Sequence, residues 1–489
     1  MWSIPKRRGA GAGAMFVKVA SEIADSIRRG KLQPGDRLLS TRALATQLGV
    51  NRNTVVAAYD ELIAQGWITT RGAGGTVVSR ELPERAVTRA PVVPAGIAAR
   101  PGFEMRTVAV PFAPFGPPNT VYHLSGGVPD TRLMSTVMLA RAYRRVLASR
   151  TGRLGLDYGP PHGVERLRVA IAAMLRANRG IPATADNILI VRGSQMALDL
   201  TTRLLVRPGE TVAVEELGYR PAWRAFEESG AKVMPIALDE HGLVVDKLAG
   251  VRPRCVYVTP HHQYPTTVLL SQARRSALLE RARTDKFAVL EDDYDHEFHF
   301  AGRPVAPLAA SDPGGNVIYL GTLSKILAPG LRLGFIAAPA KLVENLARLR
   351  SMVDRHGDQI LEQAVADLIE DGELQRHARK MRRAYEARRD ALVTALRKEL
   401  GGVLTFELPA GGITLWARVA RDVPLEPWLE RAHARGVAVT AARHFAVDGK
   451  PRPFIRLAYA RYDERELADA VRRLRDALPR ARTSTRLAA

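Results

Sequence analysis

Val317-Ile318-Tyr319-Leu320-Gly321-Thr322-Leu323-Ser324-Lys325 reads as a short apolar strand that ends in two hydroxyls and a lysine, with Arg332 seven residues further on. A lysine at a strand exit can form a Schiff base with an aldehyde, and hydroxyls with a guanidinium beside it can hold a phosphate. The same kind of strand recurs at Ile188–Val191, Val212–Val214, Val256–Val258, Ala288–Leu290 and Phe335–Ala337, with helical stretches between them. Short apolar strands alternating with amphipathic helices predict an α/β body, a largely parallel sheet covered on both faces. A long helical region near 341–400 follows. The last ninety residues return to strands, including Phe454–Tyr459, and a closing helix, which predicts a smaller α+β subdomain. No internal repeat is found.

Two more strand exits carry chemistry. Gly193-Ser194-Gln195 stands where a strand gives way to a helix, the setting in which backbone amides and the helix dipole attract a phosphate. It is also an ordinary helix cap. Asp292 follows Ala288–Leu290, with Tyr294 two residues on. A carboxylate there can keep a pyridine nitrogen protonated, and a phenol beside it can bond a ring oxygen. The rival reading of Glu291-Asp292-Asp293 is a hard-cation site helped by His296 and Glu297. Adjacent His261 and His262 would face opposite ways on an extended backbone, so they are expected to be pocket or structural residues, and no metal is expected.

The first eighty residues differ in kind. Phe16, Val19, Ala20, Ile23 and Ile27 recur at helical spacing up to Gly30. A second helix is expected from Thr41 as N-cap to Gly49, and a third from Asn51, with Val55, Ala58, Tyr59 and Leu62 on one face. Trp67–Thr70 and Thr76–Val78 read as strands joined by Arg71-Gly72-Ala73-Gly74-Gly75. Three helices and a glycine-tipped hairpin describe a winged helix-turn-helix. Arg42 opens the second helix and Arg52, Asn53 and Thr54 the third, where a recognition helix presents side chains to the major groove; Arg71 and Gly75 belong to the wing. The plain alternative is a set of solvated charges on a small helical domain.

Composition limits the classes. Residues 1–80 hold twelve Lys or Arg against five Asp or Glu, a net +7 out of +22 for 489 residues, so the positive excess is densest at the front. Cys255 is the only cysteine, which excludes an intrachain disulfide and a Cys-rich zinc site. Met1–Ala14 lacks the apolar core of a signal peptide and no long uncharged apolar run follows, so a cytoplasmic protein without membrane association is expected. Residues 81–119 form a Pro-rich linker, with Pro83, Pro91, Pro94, Pro101, Pro111, Pro114, Pro117 and Pro118. The expected domains are therefore 1–80, the linker 81–119, and 120–480.

Leu32-Gln33-Pro34-Gly35-Asp36-Arg37-Leu38, Ser40-Thr41-Arg42 and Gly49-Val50-Asn51-Arg52-Asn53-Thr54-Val55, in that order, resemble the GntR class of bacterial regulators. Residues 120–480 resemble the fold type I pyridoxal-phosphate enzymes of the aspartate aminotransferase family, and the whole chain resembles the MocR/GabR-type regulators. The resemblance implies that Lys325 forms the internal aldimine, Asp292 faces the pyridine nitrogen and Tyr294 the phenolic oxygen. It places Gly193, Ser194, Gln195, Thr322, Ser324 and Arg332 around the phosphate and Tyr219 on the ring. Tyr158, in Tyr158-Gly159-Pro160-Pro161-His162-Gly163, would reach the phosphate of a neighbouring subunit, which implies a homodimer; Arg456 would pair with an amino acid's carboxylate. Three departures stand out: Thr267 ends the family's Pro-Thr-Gly turn, Tyr264 replaces an asparagine, and Leu217 stands where proline is usual. They weigh against efficient transamination while leaving cofactor binding intact. The leading expectation is a transcription regulator that binds an operator in double-stranded DNA and senses pyridoxal phosphate, alone or as its aldimine with a small amino compound. The alternatives are an active aminotransferase with an appended DNA-binding module, and a DNA binder whose enzyme-like domain only dimerises.

Overall fold

The computed structural model describes residues 12–72, 75–83, 100–105, 120–302 and 304–479. The chain divides into two compact units, Met1–Val108 and Ala109–Ala489. The wing tip Ala73-Gly74, the basic start up to Gly11, and Pro91, Pro94, Pro111, Pro114, Pro117 and Pro118 of the expected linker lie outside the described residues.

In the first unit, α1 (Ala12–Arg28), α2 (Thr41–Leu48) and α3 (Arg52–Ala64) precede an antiparallel pair, β1 (Ile68–Thr70) and β2 (Thr76–Val78). The apolar face of α1, Val19, Ile23 and Ile27, packs with Val55, Ala58 and Leu62 of α3 and with Trp67 and Val78 of the hairpin, giving this unit its own core. Ser40, not Thr41, caps α2: its hydroxyl accepts from the Ala43 amide, and Thr41 is already helical. Both residues are good caps, but Ser40 alone has the extended backbone that aims its oxygen at the first turn. Asn51 caps α3, accepting from Asn53 N at 2.9 Å.

The second unit is built on a seven-stranded sheet of β3 (Ile188–Val191), β4 (Thr211–Glu215), β5 (Lys232–Ile236), β6 (Cys255–Val258), β7 (Ala288–Asp293), β8 (Val317–Thr322) and β9 (Gly334–Ala337), in the order β3-β9-β8-β7-β6-β4-β5. All neighbours are parallel except β9, which is antiparallel to both β8 and β3. Alternate residues feed different cores: Val212, Val214, Tyr257, Leu290 and Leu320 pack on one face, and Ala213, Val256, Val258, Val289 and Val317 on the other. Burial on both faces is why these strands read as unbroken apolar runs. β5, which no apolar run announced, is one of the two edge strands; there exposed Lys232 and Met234 and the ladder-breaking Pro235 are tolerated.

Helices α4 (Ser194–Leu205) and α5 (Arg220–Glu228) follow β3 and β4, and α6 (Ala340–Val353), α7 (Gln359–Glu370) and α8 (Glu373–Leu400) follow the sheet. The chain then forms a small antiparallel sheet of β10 (Leu404–Thr405), β11 (Thr414–Val419), β12 (Thr440–Ala441) and β13 (Phe454–Ala458), ordered β10-β11-β13-β12, and closes with α9 (Glu464–Asp476). Arg456 lies on β13 opposite Trp416 and Thr440, inside this sheet. Among the described residues no helix is long and apolar enough to cross a membrane.

Candidate functional site

β7 and β8 pair in parallel with Asp292 level with Leu320, so Asp292 and Lys325 leave the sheet at the same carboxyl edge, where open α/β sheets place ligands. Asp292 is buried. Its Oδ2 accepts a 2.8 Å bond from the Tyr257 hydroxyl on β6, while Oδ1 has no partner. Burial, opposed by the Tyr257 bond, pushes its pKa up to about 7. The Lys325 amine donates to the Gly127 carbonyl at 2.6 Å, and desolvation, reinforced by Arg456, brings it down to about 8. An amine in that range is partly neutral near pH 7 and therefore nucleophilic. Tyr294 leaves the strand on the same side as Asp292; its hydroxyl donates to His262 O at 3.0 Å, and burial holds the phenol protonated.

The phosphate-type groups gather at the start of α4. Gly193 is the N-cap of α4 with φ +81°, and a side chain there would meet the Arg332 guanidinium at 3.0 Å. Arg332 Nη2 donates to Arg192 O at 3.0 Å, which holds the cation against the helix N-terminus. Gly334 lets the two turns close, since a Cβ on it would lie 3.0 Å from both Gly193 Cα and Gly321 O. Ser324 N donates to Thr322 Oγ1 at 3.1 Å, and both side chains are buried. Gln195 reaches instead to Pro221 O at 3.3 Å. Tyr158 is 73% exposed and packs against Arg355 and His356.

A cluster of rings forms the remaining wall. Tyr219, the N-cap of α5, meets Tyr264 edge to face at 5.4 Å, and Tyr264 also contacts Tyr294 and Phe445. Arg456 is 1% exposed; its guanidinium lies 4.2 Å from the Tyr264 ring centroid and its Nη1 is 3.3 Å from both Tyr264 Oη and Ser125 O. Its Nε has no partner. Thr267 sits at φ +65°, a region that strains a β-branched residue, and the turn is held by Thr267 N to Gln263 O at 2.7 Å and Thr266 Oγ1 to Gln263 Oε1 at 2.6 Å. Leu217, where proline is usual, is buried and pairs with Ala446 in an isolated bridge.

Several contributors were not singled out in the sequence. Tyr257 lies inside an apolar strand, and nothing in its spacing marks its hydroxyl as the partner of Asp292. Glu215 is pushed up to about 7 by burial and receives bonds from Thr259 Oγ1 at 2.9 Å and Gln263 Nε2 at 3.1 Å, which fastens the 259–263 turn to β4. The carboxylates of 291–293 take separate partners: Glu291 accepts the Leu308 and Ala309 amides, Asp292 the Tyr257 hydroxyl and Asp293 the Tyr319 hydroxyl, and among the described residues they form no group of three or more converging ligand atoms.

The expectation that His261 and His262 face opposite ways is also corrected. The chain bends here, so the two-residue alternation of a strand does not apply, and their rings lie 4.4 Å apart. Burial brings His261 down to about 2, which keeps it uncharged.

In the first unit Arg52 and Asn53 are exposed on the opening turn of α3, with Thr54 half-buried beside them, and Arg42 is exposed on α2. Arg71 N donates to Gly75 O at 2.9 Å across the wing, and Gly75, at φ +79°, makes room for the Arg37 guanidinium 3.2 Å from where a Cβ would stand. Arg37 thus joins the wing face, a position its place in the loop before α2 did not reveal.

These two units define a class: a winged helix-turn-helix joined to an aminotransferase-type body. Residues 17–78 match the bacterial regulatory proteins of the gntR family, and residues 120–474 match aminotransferase class I and II, a pyridoxal-phosphate-dependent class. The chain is 32% identical to the probable rhizopine catabolism regulatory protein MocR of Rhizobium meliloti, over 95% of this chain and 93% of that one. It is 31% identical to the HTH-type transcriptional regulator TauR of Rhodobacter capsulatus, over 96% and 97%. The second unit is similar to the solved α-aminoadipate aminotransferase LysN of Thermus thermophilus in complex with N-(5'-phosphopyridoxyl)-L-leucine, with TM-score 0.68, 29% identity, and coverage of 74% of this chain and 92% of that one. The chain belongs to the MocR-type family of GntR transcription regulators that carry an aminotransferase-like domain.

The groups at the sheet edge fit pyridoxal phosphate. The partnerless Asp292 Oδ1 calls for a proton donor such as a pyridinium, and the Gly193–Arg332 cradle is held open by the absence of a side chain.

Two outcomes follow from this geometry. Asp292, Glu215 and Glu291 each have a pKa pushed up to about 7, so the fold retains protons that the unfolded chain gives up near pH 4. These three carboxyls accordingly contribute stability that is fully present below about pH 4 and lost by about pH 7, while buried His261, brought down to about 2, works in the opposite direction up to about pH 6.5. In cofactor-free protein, Asp292→Asn, which keeps an acceptor for Tyr257, should remove one falling contribution, so that Tm falls less or rises more with pH across that window than in the unaltered protein; an unchanged slope would remove the assignment. Thr267→Gly should raise stability by about 1 kcal/mol, read by denaturant titration, because it relieves the left-handed strain of a side chain.

Proposed function

We propose that this protein is a cytoplasmic transcription regulator that binds an operator in double-stranded DNA as a homodimer through residues 1–80. In this reading 81–119 is the linker, and 120–480 holds pyridoxal phosphate and senses it alone or joined to a small amino compound. The observation that carries the reading is Lys325 in company with Asp292: an enclosed amine brought down to about 8, on the same sheet edge as a buried carboxylate whose Oδ1 has no partner. When bound, pyridoxal phosphate supplies an aldehyde that passes reversibly between amines.

The chain's own groups do the rest. Lys325 would be the covalent anchor, Asp292 would keep the ring nitrogen protonated, and Tyr294 would bond the ring oxygen. Gly193, Ser194, Gln195, Thr322, Ser324 and Arg332 would hold the phosphate and Tyr219 would stack on the ring, while Tyr158 would reach the phosphate held by a second subunit. Arg456 receives the carboxylate of an amino compound, and in doing so exchanges its contacts with Tyr264 and Ser125 for a charged one. A ligand that takes Arg456 therefore has different interaction energies with two arrangements of β13 and the Tyr264 turn, which is what biasing a conformational equilibrium requires.

The second reading, a working aminotransferase, draws on the same lysine and arginine. What favours sensing over turnover is the contact of Arg456 Nη1 with the Tyr264 hydroxyl and Ser125 O, which a carboxylate taking that nitrogen would exchange.

Borohydride reduction of the protein supplied with pyridoxal phosphate should leave a pyridoxyl mass on the peptide containing Lys325. Lys325→Ala should carry none and should bind DNA with an affinity indifferent to the cofactor. A pyridoxyl mass elsewhere would overturn the assignment, and steady transamination of an amino acid with a keto acid would favour the enzyme. Arg52→Ala should weaken operator binding and reduce the steepness of its salt dependence by about one phosphate contact, read by fluorescence anisotropy at several salt concentrations.

A further inference from the structure

Behind the Tyr264 turn lies a group of residues that the cofactor site does not use. His261, His262 and His299 are 3%, 4% and 7% exposed, and each offers a ring nitrogen within 4.8 Å of the others. Their rings are in mutual contact, with centroids 4.4, 5.6 and 5.9 Å apart. Both nitrogens of His261, Nε2 of His262 and Nδ1 of His299 are buried without a hydrogen-bond partner. Buried polar atoms are almost always paired, and four partnerless nitrogens in one place demand a reason. Asp295 supplies the outer contact that a metal-binding imidazole uses: its Oδ1 lies 2.8 Å from His262 Nδ1, which places the proton there and leaves the lone pair on Nε2, an atom without a partner.

We propose that His261, His262 and His299 form a binding site for one divalent cation of the zinc class, with Asp295 orienting His262. Three imidazoles without a thiolate select borderline transition ions over magnesium or calcium, which prefer oxygen. A cation about 2.0–2.1 Å from each nitrogen draws the nitrogens to roughly 3.4 Å from one another, so the rings close by about an ångström on binding. The bend at 261–262 is the segment that would move. Access is through a surface cleft of about 290 Å³ lined by His296, His299, Glu297, Gln375, Arg379 and Arg382. The two arginines there oppose a cation's approach, while Asp295 Oδ2 and Asp293 Oδ1, buried without partners, favour its presence. The site does not depend on the reading of Lys325.

The test uses tag-free, full-length protein stripped with a chelator and titrated with Zn²⁺ against a chromophoric competitor. One equivalent should bind per chain. His261→Ala and His299→Ala should each weaken it at least a hundredfold, and Asp295→Asn about ten- to a hundredfold. Circular dichroism of each variant checks its fold. Absence of a tight equivalent, or an affinity in the two histidine variants unchanged from that of the unaltered protein, overturns the site. Should a variant not fold, the visible spectrum of Co²⁺ bound to the unaltered protein decides: intense bands of four-coordinate cobalt support the site, and the weak bands of six-coordinate cobalt overturn it.

Discussion

Parallel pairing of β6, β7 and β8 is the constraint from which the second unit's chemistry follows. Because the strands run the same way, they end on the same edge, and residues distant in sequence come out side by side: Tyr257 pairs level with Leu290, and Asp292 with Leu320. The Tyr257 hydroxyl then reaches Asp292 without a loop to carry it. The apolar interior on both faces of the sheet makes the edge dry, and dryness moves Asp292 up and Lys325 down toward neutrality. One topological fact thus sets both the position and the protonation of the two groups.

What could be read in the sequence was whatever local periodicity or strand-end chemistry announces. Six of the seven strands have apolar runs because both their faces are buried, and Lys325 and Gly193 lie just past strand ends, whereas β7 runs on to Asp293 and so holds Asp292 within the strand. The winged helix was legible from one helical face and the glycines that end it. The unread parts are those set by tertiary context. β5 hides behind the polar surface of an edge strand. Tyr257 looks like one more core residue until β7 is laid beside β6, and the 261–262 bend breaks the alternation on which the histidines were read.

The turn from Thr259 to Thr267 connects these observations. It is tied to β4 through Glu215, which binds Thr259 and Gln263, and it carries a strained Thr267 at its far end. A glycine in that position would relax the strain, so the turn holds Thr267 against the local preference of a β-branched residue. Along the same nine residues the chain presents Tyr264 to Arg456 and Tyr219 on one side, and His261 and His262 to His299 on the other.

A turn that forms a wall of two pockets cannot respond to one without altering the other. Tyr294 makes the link explicit, since its hydroxyl rests on the His262 carbonyl while its ring touches Tyr264. Displacing Tyr264 from Arg456 pulls on the residue two positions from His262, and drawing the histidine rings together pulls on the carbonyl that holds Tyr294. Strain matters here because a relaxed turn would sit in one deep minimum, whereas a segment held off its preferred conformation by Gln263 and Glu215 has less to lose by shifting. The enzyme-like body thereby keeps the sheet edge that a cofactor needs and sets beside it a short turn that touches both groups of residues.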